Sequence, residues 1–120
     1  MKLVNLTPHE ITIHTDTTVV TLPPSGQVAR LVGPPPPTPI IVGLGGHAIR
    51  VSTPPSFEGV EGLPPDDGVS SIIVSAMVGA CAPTLLPSWQ GRVFGPDTGA
   101  DCVRNEKGHI VGVKGLILYF

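Results

Sequence analysis

The sequence predicts a mainly β protein: a small single-domain β-barrel or sandwich with one or two short helices. Three observations carry that prediction. Glycine and proline supply 15 residues each of 120, which excludes a helical bundle because glycine weakens helix interiors and proline breaks them. The apolar residues fall in short runs rich in Val, Ile and Thr, several of them alternating with polar residues. Aromatic residues make up only 4%, so the core must be built from Val, Ile and Leu and is expected to be thin. Association into a homo-oligomer is one common way to complete such a core. At this length one domain, 1–120, is expected.

The elements follow in chain order. Leu3 to Leu6 and Ile11 to Ile13 read as short strands on either side of a corner at Thr7-Pro8-His9. Thr12 to Leu22 carries a strong β signal, and Pro23-Pro24-Ser25-Gly26 makes a turn, since proline presets φ and glycine accepts a positive φ. Gln27 to Val32 alternates as a half-buried strand would, so these segments together read as an N-terminal meander. Residues 33–39 contain four consecutive prolines, which impose polyproline II geometry. They form either a stiff connector or a docking segment, and the connector is the simpler reading. Ile40 to Val42 and Ala48 to Val51 look like strands around Gly43-Leu44-Gly45-Gly46.

Residues 52–69 are turn-rich and are expected to form a long loop. Ser71 to Val74 reads as a strand, and Ser75 caps the clearest helix, over Ala76 to Ala82, ended by Pro83. Leu85-Leu86-Pro87 and Arg92-Val93-Phe94 are expected to be extended. Cys102 to Arg104 and His109 to Val113 form a hairpin about Asn105-Glu106-Lys107-Gly108, followed by a last strand over Leu116 to Phe120.

Charge is scarce: charged residues make up 13% of the chain and the net charge is −2. There is no basic footprint for nucleic acid. The first residues lack the long apolar stretch of a signal peptide, and no run is long enough to cross a bilayer, so a cytoplasmic protein without membrane contact is expected. Cys81 and Cys102 are the only cysteines. Two reduced, half-buried thiols are the simpler expectation, with a bridge between them as the alternative.

Asp97-Thr98-Gly99-Ala100-Asp101 resembles the active-site segment of retroviral-type aspartic proteases. Gly95-Pro96 stands where those enzymes have an apolar strand, and too few residues follow for their second lobe. An Asx-type turn explains the motif better, with the Asp97 carboxylate accepting from nearby backbone. Gly43-Leu44-Gly45-Gly46 has backbone amides that suit a phosphate, but no helix is expected to follow it, and a hairpin turn is the simpler reading. His9, His14, His47 and His109 show no zinc spacing, and no nucleophile elbow is present. No catalytic residue, metal or cofactor is therefore expected. What remains is a set of polar residues at strand ends: Asn5, Thr7, His9, Ser25, Arg30, Ser75, Arg92 and Arg104. Arginines without a basic surround suit one small anionic ligand, because a guanidinium holds phosphate bidentately; they also suit ordinary surface ion pairs.

Asn5-Leu6-Thr7-Pro8-His9-Glu10-Ile11, Pro23 to Arg30, Ile72-Ile73-Val74-Ser75, Pro96 to Gly99 and Val103 to Val113 together are similar to a family of small, functionally uncharacterised proteins of phages, prophages and bacteria. Pro34 to Pro37 and the glycines at 43–46 depart from the family's pattern. The resemblance implies either a virion component or a small protein that counters host defence. The leading expectation is a non-enzymatic, homo-oligomeric protein of the host cytoplasm that sequesters a nucleotide-like immune signal. Asn5, Thr7, His9, Ser25, Arg30 and Arg104 are its candidate ligand-binding residues. The alternative is a virion structural or decoration protein.

Overall fold

A computed structural model describes residues 2–99 and 102–120. Its strands are β1 (Leu3–Asn5), β2 (Ile11–His14), β3 (Val19–Leu22), β4 (Arg30–Val32), β5 (Ile40–Leu44), β6 (His47–Val51), β7 (Gly59–Glu61) and β8 (Ser71–Ile73). Helix α1 (Ala76–Leu85) and a short 3-10 turn at Pro87–Trp89 follow. Then come β9 (Val93–Pro96), β10 (Val103–Arg104), β11 (Ile110–Gly112) and β12 (Leu116–Leu118). The protein is a small, mainly β domain, as the glycine and proline content requires.

At its centre lies a four-stranded sheet in the order β1-β8-β9-β12. β1, β8 and β9 are parallel, and β12 is antiparallel to β9. Parallel neighbours need a crossover, and α1 supplies it between β8 and β9. β8 is the innermost element: Ser71, Ile72, Ile73 and Val74 are each at most 1% exposed. Because alternate side chains point to opposite faces, Ile72 joins one core cluster and Ile73 the other. The first cluster gathers Leu6, Val78, Ala82, Leu86, Trp89 and Val93 beneath α1. The second gathers Ile11 and Val113, with Leu22 and Phe94 packed against it.

Four two-stranded ribbons complete the chain: β2-β3, β4-β7, β5-β6 and β10-β11. No closed barrel forms among the described residues. The N-terminal meander does not form either, since β1 pairs with β8, β2 with β3, and β4 with β7. Pairing with β8 places β1 at the edge of the central sheet, with Asn5 and Leu6 buried and Leu3 and Val4 half-buried. The segment 52–69 is not one loop, because β7 falls within it and pairs with β4. Residues 33–39 contain no strand or helix.

Ser75 is the helix N-cap, with φ −65° and ψ 161°, and its hydroxyl accepts from the Val78 amide at 3.4 Å. The helix passes through Pro83 and ends at Leu85. Pro83 stands in the last turn, where its missing N–H costs one bond and burial of Val78, Gly79 and Ala82 outweighs it. That extension, with the 3-10 turn after it, replaces the extended piece expected at Leu85-Leu86-Pro87.

Candidate functional site

The parallel strands set the location. In sheets of this kind ligands gather beyond the carboxyl ends of the strands. Here β1 runs into residues 6–10, and β8 runs through Val74 to Ser75 at the start of α1. Two adjoining clefts lie along this edge and share Pro8 and Ser75. One, of about 370 Å³, is lined by Pro8, Arg30, Leu31, Phe57, Ser75 and Met77, among others. The other, of about 460 Å³, is lined by Thr7, His9, Glu10, Ile11, Ile110 and Val111, among others.

Asn5 and Thr7 shape this edge from within. Asn5 is 3% exposed, and its Nδ2 donates to the carbonyls of His9 (2.9 Å) and Leu22 (3.1 Å). Its Oδ1 accepts from the Thr7 amide (3.0 Å) and hydroxyl (2.7 Å). The Ser25 amide donates to the Asn5 carbonyl at 3.0 Å, and the Ser25 hydroxyl lies 3.3 Å from the Gln27 carbonyl, closing its own turn. These three residues are thus brought together, and their polar groups hold the loop 6–10 against the turn after β3. His9 projects from that loop, exposed, into the second cleft.

The arginines separate sharply. Arg92 is fully engaged: Nη1 donates to the Ser70 carbonyl (2.9 Å), and Nη2 donates to the Ser88 carbonyl (2.9 Å) and the Asp66 carboxylate (2.7 Å). Its guanidinium also lies 4.6 Å from the Trp89 ring centre, a cation–π contact. Arg104 donates to the Gly108 carbonyl at 2.8 Å within its own hairpin, beside a separate, open hollow. Arg30 is exposed, and its side chain makes no hydrogen bond or ion pair among the described residues. Glu61 is opposite it across the β4-β7 ribbon but forms no salt bridge with it.

Asp66 and Asp67 belong to the same structural knot as Arg92. The Gly68 amide, then Arg92, hold the Asp66 carboxyl below its ordinary range. The Ser70 hydroxyl and amide, then the Val69 amide, hold Asp67 well below that range. Charge-assisted bonds to the ionised form cause both shifts.

Asp97 is exposed, and its Oδ1 accepts from the Gly99 amide at 3.2 Å, the geometry of an Asx turn. Ala100 and Asp101, the end of the protease-like motif, lie outside the described residues. Gly45 and Gly46 take φ of +58° and +81° at the tip of β5-β6, as a tight hairpin requires. Cys81 and Cys102 are free thiols. No group of three His, Cys, Asp or Glu among the described residues is placed to hold a metal, and none of their helices is long and apolar enough to cross a membrane.

Sequence reasoning missed Phe57 and Met77, the apolar walls of the Arg30 cleft. Phe57 is an isolated aromatic within a turn-rich stretch, and that contrast was the available signal. No family model matches the chain, and no curated protein or solved structure shows significant similarity to it.

Proposed function

We propose that the protein binds a small anionic, nucleotide-like ligand without catalysis, in the cleft between Arg30 and the start of α1. The carrying observation is that Arg30 lines a cleft with its guanidinium bonded to none of the described residues. A guanidinium grips phosphate bidentately. The first amides of α1, which have no acceptor inside the helix, add partial positive charge beside it. Phe57, Pro8 and Met77 offer the apolar walls that a base would need. The cleft volume of about 370 Å³ falls within the range of small-molecule sites. With the phage resemblance, the concrete form is sequestration of a nucleotide signal of host defence in the host cytoplasm.

Isothermal titration against linear and cyclic nucleotides tests this. The wild-type protein binds one of them, and Arg30→Ala loses about 1.5–3 kcal/mol, roughly tenfold to hundredfold in affinity. Arg104→Ala retains binding, because that side chain serves its own hairpin. If no nucleotide binds the wild type, the reading fails.

The second reading is a virion structural or decoration protein. It is favoured by the molecule's shape: 60 × 41 × 22 Å, with a radius of gyration of 18.1 Å against the ~14 Å of a compact chain this long.

A further inference from the structure

The chain between β4 and β7 holds a two-stranded ribbon, β5-β6, that joins no other sheet among the described residues. Val32 pairs with Gly59 at the base, and the Glu58 amide donates to the Val32 carbonyl at 2.8 Å. Beyond that point the two legs contain Pro34 to Pro37, Pro39, Pro54 and Pro55, which cannot donate to a ladder. Pairing resumes only at the tip, in β5-β6. The result is a projecting arm, and all ten residues of β5 and β6 are exposed.

The register gives this arm two unlike faces. Ile40 is opposite Val51, Val42 opposite Ile49, and Leu44 opposite His47, so these six share one face. The other face holds Ile41, Gly43, Ala48 and Arg50. Ile40, Val42, Leu44, Ile49 and Val51 are 62, 43, 68, 41 and 43% exposed. A two-stranded hairpin alone is marginal in water, and here its apolar face is left exposed by the described residues.

We propose that this face is a self-association surface, covered by the same face of a second copy of this chain. Symmetry supports that occupant: a β face with five apolar residues of six, His47 being the sixth, is complementary to itself, and an isologous contact closes as a dimer. Two sheets facing each other at ~10 Å bury such side chains between them. The area supports it too. At these exposures each arm presents at most on the order of 500 Å² on this face, so complete burial of a pair reaches the ~1,000 Å² lower bound of a specific interface. Arg50, the arm's one charged residue, is on the opposite face and stays in water.

Light scattering coupled to size exclusion, on the whole chain at micromolar concentration, tests the proposal. The wild type elutes with twice the mass of one chain. Leu44→Lys with Ile49→Lys halves that mass, whereas Ile41→Lys leaves it unchanged. Near-ultraviolet dichroism of Trp89, in the body, stays the same in all three proteins and separates dissociation from misfolding. A monomeric wild type overturns the proposal. So does an assembly that survives the double substitution, or one that Ile41→Lys dissolves equally well.

Discussion

The ring of Tyr119 lies against the Cα of Gly79, in the space that a side chain at position 79 would occupy. Gly95 borders the same ring from β9, so two glycines form a slot between helix and sheet that the C-terminal residues fill. Gly79 is buried in α1, where glycine is otherwise a poor choice.

Gly79→Ala is expected to destabilise the domain by about 1–3 kcal/mol through overpacking, although alanine is the better helix former by about 1 kcal/mol. Urea unfolding followed through Trp89 fluorescence measures the balance. A stabilised variant would mean that Tyr119 yields without cost.

Acid should loosen the knot around Arg92. Asp67 has its pKa lowered by bonds that exist only in the fold, so it contributes stability above its ordinary value near 3.9 and loses that contribution as the pH falls. The melting temperature is expected to drop below about pH 4 and to keep falling towards pH 2. Asp67→Asn lowers the melting temperature at neutral pH and flattens its acid dependence. An unchanged acid profile in the variant would assign the acid sensitivity elsewhere.

Asp97→Asn is expected to change stability by less than about 0.5 kcal/mol. The residue is exposed, and an amide oxygen accepts the Gly99 N–H as the carboxylate does. Thermal melting and a peptidase assay of both proteins provide the check. A wild-type peptidase activity that the substitution abolishes would restore the protease reading of the motif.

What the sequence determined by itself is what short-range chemistry controls. Gly45-Gly46 and Gly108 turn their hairpins because only glycine takes those positive φ values cheaply. Ser75 opens the helix because its hydroxyl reaches the Val78 amide three residues on. Asp97 makes its turn for the same local reason. The tertiary structure alone decided which strands meet. Leu3–Asn5 looks like the partner of Ile11–His14 nearby, yet it pairs with Ser71–Ile73 as an edge strand of the central sheet, beside the fully buried β8. Likewise Arg30 and Arg92 are the same residue type at the ends of short strands. Ser70 and Asp66, 22 and 26 residues away in the chain, join the neighbouring Ser88 and Trp89 on the Arg92 guanidinium, whereas none of the described residues bonds the Arg30 side chain. Hydrogen-bond satisfaction depends on groups that are distant in the chain, so local pattern does not reveal which arginine is left to meet a ligand.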